Sequence, residues 1–306
     1  MKWPHNKDFA FTVIDDTDNA TVANIRPVYD LLLKNGIKTT KTVWVYPPRD
    51  HFTGQCLLDN DYLEYLLTLQ KQGVELQFHN AGSGHFSRDE IIKGLELFRE
   101  KTGSYPIMHI NHANNPDNLH WGHQRYGRLL KLAYRLFAGK KRVFYGDDPS
   151  SPHFWGDHAK KHIRYIRNRV FNGINTLKHD PRMPYKEKHK PYSNYWFSSS
   201  DGHTVEEFNG LIAPKNINKL EREKGLCIAY THFASGFVNS HGTLNETFRD
   251  NINNLADKNG WFAPATEILD YLLEQRPEKP VGELYLNRLD FVWLLDRVAK
   301  RVRFGR

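Results

Sequence analysis

Two stretches of this 306-residue chain place groups able to run hydrolytic chemistry at the ends of strand-like runs. The first is Thr12-Val13-Ile14-Asp15-Asp16-Thr17-Asp18, an apolar, β-branched run that ends in adjacent carboxylates and a turn-forming Thr-Asp-Asn. Side chains alternate faces along a strand, so Asp15 and Asp16 share a direction only if the strand stops there. Paired acids at such an end suit a site in which one carboxylate holds a metal and its neighbour handles a proton. An Asx-rich turn is the plainer account of an isolated Asp-Asp. The second stretch is a scattered one: His79, then His109 and His112, then His232, each just after a strand-like run. A single histidine at a strand end is an ordinary polar cap. Several at equivalent ends of different strands point to a shared site.

His79 and His85 frame Asn80-Ala81-Gly82-Ser83-Gly84. An extended strand would hold them roughly 20 Å apart, and their spacing fits no single helix face. Only a tight loop lets both meet one ion, and Gly82 and Gly84 permit it. Two imidazoles and a carboxylate would leave open positions for water and substrate, as a hydrolytic metal site requires.

These residues need a scaffold that presents strand ends together. Predicted strands cover 9–14, 39–46, 74–79, 106–111, 173–177, 192–199, 226–231 and 261–264. Between them the 3.6-residue apolar period predicts helices, among them 91–101 behind the capping box Ser87-Arg88-Asp89-Glu90, 118–137, 156–171 and 243–258. Alternation of this kind implies a parallel sheet. With no glycine-rich phosphate loop, an irregular, TIM-barrel-like (β/α) barrel of seven or eight strands is the expected α/β fold, its site at the carboxyl ends of the strands. Residues 1–280 form this barrel. Residues 281–306 carry a basic amphipathic helix whose stripe, Phe291, Leu294, Leu295, Val298 and Val302, is expected to pack on the barrel; membrane-surface docking is the alternative. A second basic stretch with apolar residues at helical spacing runs over 125–142.

Composition is that of a globular protein, 39% apolar and 25% charged, with a formal net charge of +8. The charge favours anionic partners, but without a basic arm no nucleic-acid binding is expected. Two cysteines, Cys56 and Cys227, fit a reducing compartment. A first strand near Phe9 leaves no room for a secretory apolar region, so a cytoplasmic location is expected, with peripheral contact to the inner face of an anionic membrane as an extension.

TVIDDTD, GVELQFHNAGSGH, AYTHFASG and GWFAPATEILDYL, in that order, together resemble polysaccharide deacetylases of the carbohydrate-esterase type over roughly residues 9 to 275. The resemblance implies a metal-dependent hydrolase that removes N- or O-acetyl groups from sugars, polysaccharides or glycolipid precursors. It implies Asp15 as catalytic base, Asp16, His79 and His85 as metal ligands, and His232 as the acid that protonates the leaving group. Zinc is the expected ion, with cobalt, nickel or iron as alternatives. The chain departs from the family's pattern in two places. Five residues separate His79 from His85 where the family has three, and the segment after the fourth strand reads His109-Ile110-Asn111-His112. Asn111, His112, Asp201 and Trp196 are therefore further candidates for contacting or tuning the site. A glycan-binding barrel without catalysis and another metallohydrolase, such as a phosphoesterase, are the competing functions.

Overall fold

The computed structural model describes residues 2–137, 143–276 and 280–304. Eight parallel strands form its sheet: β1 (Phe9–Asp15), β2 (Thr40–Val43), β3 (Glu75–Phe78), β4 (Met108–His109), β5 (Tyr165–Phe171), β6 (Tyr195–Asp201), β7 (Leu226–Thr231) and β8 (Gly260–Phe262). β1 to β7 pair in sequence order, and β1 closes the ring by pairing with both β7 and β2. The barrel is irregular because β1 divides one edge between two partners. Its first half, Phe9 to Phe11, pairs with β8, and its last residues, Ile14 and Asp15, pair with β2. β8 therefore fills the gap where β1 and β2 diverge. The following helix is tied there by Ala265 N–H donating to Thr40 Oγ1 at 2.8 Å.

Every residue of β1 is buried, as a central strand covered on both faces requires. Helices pack around the ring. Among them Val22–Lys34 is opened by a Thr21–Asn24 capping box, and Arg88–Thr102 by a Ser87–Glu90 box and closed by left-handed Gly103.

Three expectations are corrected. The stretch 156–171 is not one helix: Gly156–His162 is helical and Tyr165–Phe171 is β5, while the expected strand 173–177 lies before and within the short helix Thr176–His179. Its polar residues resemble a solvated helix face, yet Arg167 and Arg169 are buried and paired, with Asp16 and Asp290. The helix expected over 118–137 is broken into a short turn, Gly122–Arg125, and the helix Arg128–Phe137. Gly122 takes φ 60°, and Gly127 lies where a Cβ would meet Asn287 at 2.8 Å. Of the basic stretch 125–142, the last five residues lie outside the described ones.

The third correction concerns the carboxyl-terminal helix, Glu283–Phe304. Its apolar stripe does not pack on the barrel: Phe291 is 63% exposed, Leu295 54% and Val302 84%. Charge turns it this way. Asp290 is buried against Arg169, and Arg297 and Lys300 reach inward to Asp201. These pairs and the buried Leu286 and Leu289 fix the inner face and leave the stripe outside.

Candidate metal centre and its pocket

At the carboxyl end of β1 the two adjacent acids part company, as strand alternation demands. Asp15 turns out of the barrel mouth toward the surrounding helix. It accepts from Tyr29 Oη at 3.0 Å and from the Phe233 N–H at 2.8 Å, and it pairs with fully buried Lys41 at 2.9 Å. Burial works against the Lys41 charge, but Asp15 raises its pKa above the ordinary value. Asp15 therefore anchors the loop after β7 instead of facing the pocket, which removes the ground for a base role. Asp16 faces inward, its two oxygens held by Arg167 at 3.0 and 2.5 Å. Burial raises its pKa and the Arg167 charge more than offsets this, so the carboxyl stays below its usual value.

Two residues further on, Asp18 reaches the centre of the mouth. Left-handed Asn19 (φ 59°) makes the turn, and its side-chain oxygen accepts from the Thr53 N–H at 3.0 Å. Asp18 Oδ1 lies 3.4 Å from His79 Nε2 and 3.3 Å from His112 Nε2, and Oδ2 lies 3.2 Å from His232 Nε2. Burial raises the Asp18 pKa, yet the His112, His232 and His79 rings facing it bring it well below the carboxylate range.

Both ligand-grade histidines are oriented by their other nitrogen. Thr42 Oγ1 donates to the Asp15 carbonyl at 3.1 Å and so can only accept from His79 Nδ1, 3.3 Å away. Asn115 Oδ1 is fixed as an acceptor by the Gly84 N–H at 2.9 Å, and His112 Nδ1 lies 3.1 Å from it. Each Nδ1 then carries the hydrogen, and each Nε2 presents a lone pair toward Asp18. Burial lowers the His79 pKa. It also acts to lower His112, which is nonetheless raised by Asp18 and Asn115.

The ligand atoms of Asp18, His79 and His112 all lie within 4.8 Å of one another. Asp18 Oδ1 and His112 Nε2 are buried with no hydrogen-bond partner. Buried polar atoms left unpaired are costly, and a divalent ion would satisfy both. One carboxylate and two imidazoles suit zinc and its neighbours in the transition series. The residues present fit such an ion.

His85 is not part of this group. Gly84 takes φ 104° and turns the chain outward, the His85 carbonyl accepts from Arg49 at 3.0 Å, and its exposed ring lies 5.8 Å from that of His153. His112 occupies the place expected for it. Asn80, in a left-handed turn at φ 58°, accepts from the His112 N–H at 2.7 Å and so ties this loop to the end of β3. Asn111 lines the pocket, with its amide oxygen held by His109 at 2.9 Å and by the Leu119 N–H. Trp196 is fully buried, its indole N–H donating to Ser193, and does not line the pocket. Asp201 does line it, paired with Arg297 at 2.8 Å and Lys300 at 3.0 Å.

His232 sits beside the ion site with both ring nitrogens facing acceptors, Asp18 Oδ2 and, at 3.3 Å, the His203 carbonyl. The His203 carbonyl can only accept, so Nδ1 carries a hydrogen, and the Asp18 charge beside Nε2 favours the protonated ring. Its pKa agrees in direction: burial lowers it, but Asp18 lifts it above the ordinary histidine value. The cavity over these groups has a volume of about 410 Å³ and is also lined by Phe52, Trp121, Tyr230 and Trp293.

Fold and pocket together define an α/β barrel with three residues able to hold one metal ion at the carboxyl ends of its strands. It is the fold of polysaccharide-deacetylase-like proteins and their allantoinase relatives. The Puue allantoinase superposes with a TM-score of 0.55 at 9% identity, over 90% of this chain and 94% of that one. A probable polysaccharide deacetylase from Pseudomonas aeruginosa PAO1 gives 0.51 at 8% identity, over 90% and 95%. No protein-family model matches the chain, and no curated protein matches it in sequence. Identities this low establish the fold and nothing finer.

Proposed function

We propose that this chain is a divalent-metal-dependent hydrolase that removes an acetyl group from a sugar or a glycolipid precursor. The observation that carries the reading is the convergence of Asp18, His79 and His112 on one point, with Asp16–Arg167 and cationic His232 beside it. An ion held by the three would supply Lewis acidity and acidify water at the site.

The chain's own groups then divide the proton work. Arg167 keeps Asp16 charged and fixed, so its carboxylate takes the proton from the water that attacks the acetyl carbon. His232 gives its proton to the departing amine or alcohol as the bond to the acetyl carbon breaks. Aromatic side chains of the cavity exclude water from the remaining space and offer faces to a sugar ring.

Among the described residues no helix is long and apolar enough to cross a membrane. The reading places the enzyme in the cytoplasm, where free, buried Cys56 and Cys227 remain thiols, and at the surface of an anionic bilayer. The outward stripe of Glu283–Phe304 supports the second part, together with exposed Leu129, Leu132 and Leu136 on the contacting helix Arg128–Phe137. Exposed Arg128, Arg135 and Arg301 on the same two helices fit anionic headgroups.

The test is elemental analysis of the purified protein, followed by acetate release from N- and O-acetylated sugars before and after chelation. Acetate release that stops with EDTA and returns with zinc is expected. A protein that retains a stoichiometric ion yet releases no acetate from any acetylated sugar or glycolipid would overturn the deacetylase reading.

A further inference from the structure

Beyond the ion site, the same cavity is lined by Arg125, Arg297 and Lys300. Lys300 pairs with Asp201 and Glu207, and Arg297 with Asp201. Two carboxylates therefore face three cations, and Arg125 has no carboxylate in ion-pair range among the described residues. Its guanidinium lies between rings instead, 4.5 Å from the centre of Trp121 and 5.0 Å from that of Trp293. It donates to Tyr126 Oη at 3.1 Å and its Nε is buried without an acceptor. Arg297 stands near the same Trp293 ring, at 5.9 Å, and its Nε is likewise buried and unpaired.

A purely structural role would have Arg125 tie the segment 121–126 to the helix Glu283–Phe304 through the two tryptophans. That explains the stacking. It leaves the surplus charge and two buried donors unanswered, and such donors are costly without an oxygen to accept them. Guanidinium groups present flat forks that match phosphate and carboxylate oxygens.

We propose that Arg125 and Arg297 form an anion subsite that holds a phosphate or carboxylate group carried by the sugar substrate. The word "substrate" rests on the hydrolase reading; the binding of an anion does not. Lys300 and Asp201 position Arg297, and the tryptophans hold Arg125 and keep water from its face. The deacetylated product would keep its anionic group, since no bond to that group is touched.

The experiment is calorimetric titration of inorganic phosphate and, separately, of glucuronate into full-length, EDTA-treated protein. Asp18→Asn serves as a second background, because it removes the ion site as a place where phosphate could bind. Saturable binding is expected in both backgrounds, weakening with added salt. Arg125→Gln should weaken it by roughly tenfold or more, the scale of a lost charge-assisted hydrogen bond. Arg297→Gln, at a partly exposed side chain, should act likewise and stands in if the first variant fails to fold. Tighter phosphate binding assigns a phosphorylated sugar, and tighter glucuronate binding assigns a uronic acid. No saturable binding of either anion, or binding unchanged in both arginine variants, overturns the subsite. Because binding is read without turnover, this failure is distinct from failure to release acetate.

Discussion

In the half of the barrel mouth built from β1 to β4 the two histidines of the ion site are oriented by neutral partners, whereas the half built from β5 to β7 and the last helix holds its carboxylates with buried cations. On the first side, Thr42 and Asn115 steer His79 and His112 through single hydrogen bonds. On the second, Arg167 grips Asp16, Arg169 grips Asp290, and Arg297 grips Asp201. Neutral holders leave imidazole lone pairs free for an ion. Paired charges fix carboxylates in the ionised state and pin the last helix to the barrel. The difference teaches that the first half is built to bind and the second to hold charge in place.

The largest effects should come from breaking the first half. His112→Ala and Asp18→Asn are each expected to lose the ion and reduce acetate release to background, whereas His85→Ala should change neither. Metal content and acetate release on the three variants decide this. Loss of the ion in His85→Ala, with retention in His112→Ala, would restore the loop pair His79–His85. The adjacent acids sharpen the same point. Asp16→Asn should keep the ion and slow turnover by roughly 10²–10⁴-fold, the scale of general-base removal. Asp15→Asn should act through stability, since it leaves Lys41 buried without its counter-charge.

What was legible in the sequence follows the same division. The strand end at Asp15-Asp16, His79 after β3 and His232 after β7 were readable because each depends on a local apolar run and the turn behind it. His112 is legible only as one of several candidates for contacting or tuning the site; its place as ligand in preference to His85 depends on Gly84, whose backbone sends His85 outward. Asp18 stood in plain view two residues past the acid pair, and the only local signal was Asn19, a residue type that accepts the left-handed turn needed to bring it inward. Arg167 was not readable at all. Its partner is 151 residues away, and without that partner β5 reads as a polar helix face. The orientation of the last helix was hidden for the same reason, since an apolar stripe packs inward by default until distant charges outbid it.

Next in size is the cost of breaking a pair in the second half. Arg169→Met leaves Asp290 buried and unpaired, for an expected loss of about 3–5 kcal/mol. Chemical denaturation should show it, and Asp290→Leu added to Arg169→Met should recover part of it. A loss below 1 kcal/mol in the single variant would mean that the last helix is held by its apolar contacts alone.

A smaller effect appears with pH and belongs to the neutral half. His109 is buried beside Trp155, and burial drops its pKa to about 3, with the hydrogen bond to Asn111 offsetting part of the fall. An unfolded chain binds that proton near pH 6.5, so below this value the unfolded state holds more protons and stability falls. The loss runs from about pH 6.5 toward pH 3 and amounts to about 2 kcal/mol between pH 7 and pH 5. Denaturation midpoints across this range should show the slope, and His109→Gln should flatten it. An unchanged slope in the variant would assign the acid sensitivity to other groups.

The smallest effect on stability should come from the outer face of the charged half, where the proposal of a membrane surface can be broken most cleanly. Leu132 is 56% exposed and Leu295 54%, so changing both to Gln removes no core contact. Stability should move by no more than about 0.5 kcal/mol per site, as for ordinary surface positions. Binding to vesicles containing phosphatidylserine should nevertheless fall, because the bilayer would have covered these side chains, while pure phosphatidylcholine vesicles should bind weakly even before the change. Co-sedimentation measures both. Acetate release from a soluble substrate should stay at the parent level, since neither residue lines the cavity. Equal sedimentation with both vesicle types would remove the role of the basic residues. A parent that dimerises with rising concentration, and a variant that does not, would assign the apolar face to a second copy of the chain and end the membrane proposal.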